Sequence, residues 1–332
     1  MRDTFKAIVL EEHEGAVTSS LRSLAVDALP EGDVLVAVAY SDLNYKDGLA
    51  ITGRNKVVRS YPMVPGIDFA GTIEESRSPA WKPGDRVVLT GWGVGERHWG
   101  GFAQLARVKS EWLVPVPSSY SLRDAAAVGT AGVTAMMCVM ALEAHGLKPA
   151  DGKDVLVTGA TGGVGSMAVA LLASLGYRVV ASTGRAEAHD YLTALGAHEI
   201  VERSLLSGPG KPLDTARWGG AVDTVGGDTL AGVLRTMAYG GSVAACGNAG
   251  GIPFTTTILP FILRGVNLLG IDSLPVPGET RRQIWARLER DLPRDALDRI
   301  ARREATLAET LEVAQQIVEG GVQGRVVINV NE

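Results

Sequence analysis

The chain has 332 residues, of which 46% are hydrophobic and 21% are charged, and its net charge is −5. This length suits two domains, and the composition, with 41 glycines, is typical of a globular α/β enzyme and excludes a disordered or fibrous chain. The basic residues are scattered, so we expect no nucleic-acid partner. Cys138 and Cys246 both lie in apolar runs, which excludes a disulfide framework and predicts two small buried side chains.

The sequence shows no sign of a membrane segment. We expect no uninterrupted apolar stretch to reach the roughly 18 residues that a membrane-spanning helix needs. The first 15 residues combine a short β-like run with several acids, which is unlike a targeting signal. A cytoplasmic enzyme without a membrane partner is therefore the prediction.

The first part of the chain carries short β-like segments separated by turn clusters such as "LPEGD" and "WKPGD". We expect a β-rich domain of irregular barrel type. The predicted strands are 5–10, 32–40, 68–76, 85–91 and 102–108.

From about residue 129 the pattern changes to strands that alternate with helices, which predicts a parallel sheet covered on both faces. After about residue 275 two helical segments, 279–291 and 306–319, precede a last strand at 324–330, which we expect to return to the first domain. The predicted strands of the alternating region are 154–160, 178–183, 199–201, 220–226, 241–247 and 266–272, and its helices are 164–175, 186–196 and 229–238.

The stretch "TGATGGVG" at 158–165 has the pattern of a dinucleotide-binding turn. It follows a buried strand and opens an apolar helix, where glycines let the backbone approach a pyrophosphate and let helix and strand pack closely. The alternative is a glycine-rich turn that binds no ligand. The expected pyrophosphate contacts are Thr161, Gly162, Gly163 and Val164.

The end of the second strand of this fold indicates which dinucleotide binds. An NAD-binding site has a carboxylate there for the ribose hydroxyls, but this chain has "STGR", ending in Thr183, Gly184 and Arg185. Hydroxyls and a guanidinium suit the 2′-phosphate of NADPH, unless Arg185 merely begins a solvated helix. Arg203 after the next strand is either a second phosphate contact or part of a surface salt bridge.

Four motifs occur in order: "PGIDFAGTIEE", "KPGDRVV", "GTAGVTAMMCVMALE" and "TGATGGVG". With them the chain resembles the medium-chain dehydrogenase/reductase superfamily, in its zinc-free quinone-oxidoreductase-like branch. The strings "SDLNYKDGLAITG", "LTGWGVGERHWGGFAQLARVK" and "LPFILRGVNLLGIDS" resemble those of NADPH-dependent acryloyl-CoA reductases. The resemblance implies an α/β fold with a GroES-like β-rich catalytic domain at 1–128 and 273–332, a Rossmann doubly wound parallel-sheet domain at 129–272, and a homodimer.

The zinc ligands of the zinc-dependent branch have no counterpart here. The positions that match a ligand cysteine and a ligand histidine are Asn44, in "NYKD", and Ile67, in "GID". Neither an amide nor an alkyl group replaces a thiolate or an imidazole on zinc, so we expect no metal.

Without a Lewis acid, hydride delivery to the β-carbon of a C=C bond conjugated to a thioester is the chemistry we expect. That reaction needs a donor near the carbonyl oxygen and a proton source for the α-carbon. The candidate catalytic residues are Asn44, Tyr45 and Asp47. Tyr45 either donates a proton or positions the cofactor, Asn44 donates to the carbonyl or to the cofactor, and Asp47 either orients its neighbours or caps a helix.

Further cofactor contacts are implied by the resemblance. The residues are Gly247 and Asn248 beside the nicotinamide ribose, Ile271 and Ser273 at the carboxamide, and Arg325 as a basic residue near the cofactor. In the loop 91–101, Trp92 and Trp99 either wall off the acyl group or staple the loop.

Three functions compete at this point. The first is NADPH-dependent reduction of acryloyl-CoA to propanoyl-CoA, for which Arg54, Lys56 and Arg59 form a possible mouth for the CoA phosphates, although such charge runs usually face solvent. The second is quinone or enone reduction with NADPH. The third, of another class, is a non-catalytic NADPH-binding protein.

Overall fold

The computed structural model describes residues 3–332, so residues 1 and 2 of the predicted first domain lie outside the described residues. The chain forms two compact units. The first contains Met1–Val133, Ser273–Glu289 and Ala301–Glu332, and the second contains Thr134–Asp272 and Arg290–Ile300.

The secondary structure is as follows. The strands are β1 (Thr4–His13), β2 (Ala16–Ala25), β3 (Val34–Asp42), β4 (Asp68–Ser76), β5 (Arg86–Thr90), β6 (Leu105–Val108), β7 (Leu113–Pro115), β8 (Asp154–Val157), β9 (Arg178–Thr183), β10 (Glu199–Glu202), β11 (Trp218–Asp223), β12 (Met237–Ala245), β13 (Asn267–Gly270), β14 (Arg303–Thr306) and β15 (Val326–Asn329). The α-helices are α1 (Tyr45–Thr52), α2 (Leu122–Ala144), α3 (Gly163–Ser174), α4 (His189–Ala194), α5 (Ser204–Ser207), α6 (Gly227–Thr236), α7 (Leu259–Arg264), α8 (Gly278–Asp291), α9 (Arg294–Ile300) and α10 (Thr310–Val318).

The first unit is built on a mixed sheet of order β14-β15-β3-β4-β5-β7, with β6 paired to β3 and a separate β1-β2 hairpin. The last strand, β15, pairs antiparallel with β3, which confirms that the chain end returns to the first domain. The apolar faces of these strands enclose a core that contains Phe69, Phe102 and Ile328, all fully buried.

The second unit is a six-stranded sheet of order β10-β9-β8-β11-β12-β13 in which every pair is parallel. The chain order of these strands is that of the doubly wound dinucleotide fold, and it reverses between β8 and β11. Strands β9 and β11 are buried over almost their whole length, as expected for a parallel sheet that is covered on both faces. The predicted α/β fold class is confirmed.

Several elements differ from the sequence prediction. The elements without a predicted counterpart are strands β2, β7 and β14 and helices α1, α2, α5, α7 and α9. Helix α10 begins at Thr310 rather than near 306 because Thr306 belongs to β14. Residues 290–300, which the sequence analysis assigns to the catalytic domain, lie in the second unit because α9 packs against α3.

The expectation about apolar stretches needs correction at α2. Among the residues that the structure describes, this 23-residue helix is long and apolar enough to cross a membrane, although 78% of its apolar window is buried inside the protein. Burial of this extent is also the property of a core helix. In the sequence, glycines and threonines interrupt the large apolar residues of this helix, so the stretch does not look continuously apolar. None of the interrupting residues is charged, so the stretch is still long and apolar enough to span a membrane.

Candidate active site

Asp47 holds together the backbone around the two positions that match zinc ligands in the zinc-dependent branch. Its carboxylate accepts hydrogen bonds from the amides of Asn44 (3.0 Å), Gly66 (3.1 Å) and Ile67 (3.0 Å). Asn44 is the N-cap of α1, so one of these bonds satisfies a donor at the helix start. Of the two roles left open for Asp47, the geometry supports both at once, because the same carboxylate caps a helix and orients its neighbours.

The side chain of Asn44 is fixed from both ends. Its Nδ2 donates to the two carboxylate oxygens of Asp68, at 3.2 and 3.3 Å, and its Oδ1 accepts from Nη1 of Arg325 at 3.0 Å. The carboxylate can only accept and the guanidinium can only donate, so the NH2 group of the amide must face Asp68 and its oxygen must face Arg325. Only one of the two Nδ2 hydrogens can point at Asp68, so the other is directed elsewhere.

Arg325 is buried behind Asn44. It ion-pairs with Asp42, and its Nε donates to the Ala127 carbonyl at 3.2 Å. Burial lowers the pKa of Arg325 to about 9. The sequence analysis expected Arg325 to contact the cofactor; in the structure its polar contacts are with protein groups, and the cofactor contact stays a prediction.

Two carboxyl groups of this cluster have strongly raised pKa values. Burial and the nearby Asp68 charge raise the pKa of Asp47 to about 7, and burial raises the pKa of Asp68 to about 7. The backbone amide of Thr130 donates to Asp68 at 2.6 Å, which opposes the shift without cancelling it. We refer to Asp42, Asn44, Asp47, Asp68 and Arg325 as the Asn44 cluster.

Gly129 closes the Asn44 cluster on the side of α2. Its φ is +47° and interrupts the helix, and a Cβ there would lie 2.8 Å from Oδ2 of Asp68, 2.9 Å from Oδ1 of Asp42 and 3.0 Å from Nη2 of Arg325. Glycine is thus required both by the backbone conformation and by the lack of space. In the sequence this glycine is recognisable only as part of the motif "GTAGVTAMMCVMALE".

Tyr45 is the first residue of α1, directly after the fixed Asn44. Its side chain is 38% exposed, so the phenol is accessible. The structure therefore places Tyr45 next to the Asn44 cluster but outside its buried hydrogen bonds.

The tryptophans of the loop 91–101 are held by the first unit itself. The Trp92 ring stacks on Trp112 at a centroid distance of 6.3 Å, and Nε1 of Trp99 donates to the Pro62 carbonyl at 3.2 Å. Both rings pack against the core of this unit. These contacts support the stapling role over the acyl-pocket role.

In the second unit, the glycine-rich turn after β8 has the geometry of a phosphate-binding turn. Gly159 has a φ of +57°, and α3 begins at Gly163. A Cβ at Gly165 would lie 2.2 Å from the Gly159 carbonyl oxygen, so the helix packs directly on the turn. The four predicted pyrophosphate residues, 161–164, thus stand at the N-terminus of a 12-residue helix.

A buried hydrogen bond joins the ends of β8 and β11, where the strand order reverses. Nothing in the sequence alone had pointed to this bond. Thr158 donates to Oδ1 of Asp223 at 2.7 Å, and the amide of Gly226 donates to Oδ2 at 2.8 Å. A Cβ at Gly247 would lie 2.3 Å from the Thr224 carbonyl oxygen, so the predicted ribose contacts Gly247 and Asn248 lie beside this reversal. Ligands of doubly wound sheets bind at this point.

The predicted 2′-phosphate residues are brought together after β9. The Arg185 amide donates to Oγ1 of Thr183 at 3.1 Å, and the Arg203 amide donates to the Thr183 carbonyl at 3.1 Å. A Cβ at Gly184 would lie 3.4 Å from the Arg203 guanidinium, so that cation lies against the turn. Of the two roles left open for Arg203, this placement favours the phosphate contact.

The two predicted carboxamide residues lie in different units. The Ile271 amide donates to the Ala245 carbonyl at 3.0 Å in the second unit, and the Ser273 carbonyl accepts from Arg281 at 3.3 Å in the first.

The two thiols are neighbours. A hydrogen bond to Cys246 together with burial raises the pKa of Cys138 well above its usual value. Cys246 is half-buried rather than buried as expected. Across residues 3–332, no three His, Cys, Asp or Glu side chains are grouped so as to hold a metal ion.

Comparison with known proteins shows the family of this chain. The alcohol dehydrogenase GroES-like domain family matches residues 30–118, and the zinc-binding dehydrogenase family matches residues 163–289. The chain is 52% identical to the probable acrylyl-CoA reductase AcuI of Escherichia coli over 98% of this chain and 100% of that protein. The chain belongs to the medium-chain dehydrogenase/reductase family, in the group of AcuI. It is also 54% identical to the acrylyl-CoA reductase AcuI of Ruegeria pomeroyi, over 98% of this chain and 99% of that protein.

Solved structures of this family share the fold over the whole chain. The yhdH oxidoreductase of Salmonella enterica in complex with NADP has a TM-score of 0.95 and 51% identity, covering 98% of this chain and 99% of that one. The yhfP protein of Bacillus subtilis with NAD bound has a TM-score of 0.94 and 45% identity, covering 99% and 100%.

Proposed function

We propose that this protein is an NADPH-dependent reductase of acryloyl-CoA, which it converts to propanoyl-CoA by saturating the C=C bond. The observation that carries the proposal is identity of 52% and 54% to two acrylyl-CoA reductases over almost the whole chain. The Asn44 cluster supports it, since it fixes an amide N–H donor of the kind that an enolate-like transition state needs.

The second unit fits NADPH. Its glycine turn leaves no room for a side chain at Gly165, the Arg203 guanidinium lies against Gly184, and the Thr183 hydroxyl and the backbone of Arg185 adjoin the same turn. This set suits a phosphate dianion through charge-assisted hydrogen bonds. Two relatives that are 51% identical to this chain have structures that contain NADP or NADPH. When bound, the cofactor supplies the hydride that the β-carbon takes.

The residues of the first unit then act on the substrate. The second Nδ2 hydrogen of Asn44 donates to the thioester oxygen as negative charge develops there, while Arg325 and Asp68 hold the amide in place. Asp47 acts through Asn44 and is a positioning residue. Tyr45 orients the cofactor, and the α-carbon takes its proton from solvent or from the Tyr45 phenol.

We infer that the reaction uses no zinc. An asparagine and an isoleucine occupy the positions that match zinc ligands, and both carboxylate oxygens of Asp47 accept hydrogen bonds from backbone amides.

We also keep the domain boundaries at 128/129 and 272/273 as a proposal. A cytoplasmic location is supported by two neighbouring cysteines that are both free thiols.

A homodimer is the proposed assembly. Strand β13 is an edge of the parallel sheet, and unpaired edges favour pairing with another chain. Large apolar side chains are exposed at α7, where Ile258 at the N-cap is 62%, Ile262 64% and Leu263 57% exposed, and Leu268 on β13 is 37% exposed. Ile262→Glu should convert the dimer to a monomer in analytical ultracentrifugation, whereas an unchanged mass would refute this interface.

Quinone reduction is the second candidate, because the chain is 46% identical to the putative quinone oxidoreductase YhfP of Bacillus subtilis. The test offers purified protein acryloyl-CoA, crotonoyl-CoA and a simple quinone with NADPH, and repeats each assay with NADH. We expect turnover of acryloyl-CoA with NADPH. Turnover of the quinone alone favours the second candidate, and tight NADPH binding without any turnover indicates a non-catalytic binding protein.

A further inference from the structure

Arg281, on α8, is a buried cation without a carboxylate partner among the described residues. Its side chain is 1% exposed, and no Asp or Glu lies within ion-pair distance of it. Desolvation lowers its pKa to about 10. Charged side chains are rarely buried without an opposite charge, so the acceptors that Arg281 does have must account for its presence.

Those acceptors belong to two chain segments. Nη1 donates to the hydroxyl of Thr90, at the end of β5, at 2.6 Å. Nη2 donates to the carbonyls of Ser273 and Leu274, at 3.3 Å each. The guanidinium therefore fastens residues 273–274 to the end of β5.

The start of the tryptophan loop is part of the same arrangement. The Trp92 amide donates to the Leu274 carbonyl at 3.3 Å, and the Arg281 guanidinium lies 5.6 Å from the Trp92 ring centroid. A Cβ at Gly91 would lie 2.9 Å from the Leu274 carbonyl oxygen and 3.0 Å from Nη2 of Arg281. The two segments are therefore in close contact at Gly91, where there is no space for a side chain.

We propose that Arg281 is a positioning residue of the reductase: it fixes the backbone at Ser273, one of the expected carboxamide contacts, against Thr90 and Trp92. This inference rests on the proposed function together with the expectation that Ser273 contacts the nicotinamide carboxamide. The planar guanidinium holds its donors on separate nitrogens in a fixed fork, so Nη1 reaches Thr90 while Nη2 reaches residues 273–274; a lysine has all its donors on one flexible atom, and methionine has none. Loss of Arg281 leaves residues 273–274 free to shift, and the cofactor loses its orientation.

The test uses Arg281→Met and Arg281→Lys in the full-length protein, with Arg86→Met as the matched control. Arg86 lies at the other end of β5, and its guanidinium also donates to a backbone carbonyl, that of Tyr120. Misplacement of a reacting group by about 1 Å costs up to roughly 10²-fold in rate. We expect both Arg281 variants to raise the KM for NADPH and lower kcat, each by about 10-fold or more, with the KM for acryloyl-CoA changed by less than about 2-fold.

Thermal melts separate positioning from a merely structural role. Arg281→Met removes a buried charge but leaves three acceptors without their donor, so we expect a folded protein with a lowered Tm whose kinetics with NADPH are impaired well below that Tm. A lowered Tm with kcat and both KM values within about 2-fold of wild type would overturn the proposal. Should Arg281→Met not fold, Arg281→Lys and Thr90→Val, which removes the acceptor of Nη1, carry the same comparison.

A double-mutant cycle measures the coupling between Thr90 and Arg281 in kcat/KM, which a change in stability alone does not produce. If Thr90 and Arg281 act as one unit, Thr90→Val/Arg281→Met should be no worse in kcat/KM for NADPH than Arg281→Met alone. Additive losses contradict the proposal.

The failure of this inference is distinguishable from the failure of the proposed function. Quenching of tryptophan emission by NADPH gives a Kd without any acyl substrate. If the wild-type protein reduces only the quinone, the proposed reduction of acryloyl-CoA is wrong. A raised Kd for NADPH in the Arg281 variants would still support the positioning role of Arg281. An unchanged Kd and unchanged kcat in all variants refute positioning whichever substrate is reduced.

Discussion

Nη1 of Arg325 donates a hydrogen bond to Oδ1 of Asn44 at 3.0 Å, although 281 positions separate the two residues in the chain. The bond forms because β15 pairs with β3, which brings the end of the chain beside the start of α1. Together with Asp68 on the opposite end of the amide, it gives Asn44 a single orientation.

Asn44→Ala tests this arrangement. Removing a donor to a developing oxyanion costs about 10²-fold or more in kcat, and we expect a loss of that size. Leaving Arg325 and Asp68 without their shared partner should also lower the free energy of unfolding by about 1–3 kcal/mol. Asn329→Ala, on β15, is the control, since this asparagine lies outside the cluster and contacts Glu304. Equal kcat values in both variants would exclude the donor role of Asn44.

Tyr45→Phe separates the two roles of the phenol. Proton donation predicts a marked fall in kcat with little change in the KM for NADPH, whereas cofactor positioning predicts a raised KM for NADPH. We expect the second result. Because Tyr45 is 38% exposed, removing its hydroxyl should leave the Tm almost unchanged. A kcat equal to that of wild type rules out the donor role.

Arg185→Ala and Arg203→Ala test the choice of cofactor. Each should raise the KM for NADPH by about 10-fold or more, because a charge-assisted bond to the phosphate is worth about 1.5–3 kcal/mol. The KM for NADH should hardly change, since that cofactor lacks the 2′-phosphate. Arg178→Ala, at the start of β9, is a control whose guanidinium contacts Asp154. An equal effect on NADPH and NADH refutes the phosphate role.

The raised pKa values of Asp47 and Asp68 predict an inverse dependence of stability on pH. An unfolded aspartate titrates near 3.9, whereas both folded groups titrate at about 7. Between these values the folded state binds more protons than the unfolded state, so the free energy of unfolding should fall as pH rises through this window and level off above about 7.

Asp68→Asn checks this prediction by urea unfolding at several pH values. The variant removes one of the two titrating carboxyls, and it should also bring the pKa of Asp47 down, because Asp68 contributes to that shift. We expect a shallower slope between pH 4 and 7, where each carboxyl contributes at most about 1.4 kcal/mol per pH unit. Exposed Asp228→Asn should keep the wild-type slope.

Gly129→Ala tests the space beside the Asn44 cluster. A methyl group there meets Asp42, Asp68 and Arg325 within 3.0 Å, and φ at +47° is unfavourable for alanine. We expect a loss of about 1–3 kcal/mol in unfolding free energy together with reduced kcat. Gly146→Ala is the comparison, because φ there is also positive, at +91°, but nothing lies within 4 Å of the added methyl. Equal kcat in the two variants would show that Gly129 does not support the site.

The sequence by itself determined the features that depend on neighbours along the chain. Alternating strands and helices fixed the doubly wound sheet, and the glycines at 159–165 fixed its phosphate turn, because each requires a local backbone conformation. Thr183 and Arg185 were likewise read from their place at a strand end.

Only the tertiary structure decided which distant side chains share a site. Arg325 reaches Asn44, Arg203 lies on Gly184, and Arg281 joins Thr90 to Ser273 through strand pairing and helix packing that no local spacing encodes. The raised pKa values of Asp47 and Asp68 have the same origin, since burial depends on what the whole fold places around a carboxyl group. Local periodicity reports backbone conformation, whereas charge burial and long-range hydrogen bonds arise only when the chain is packed.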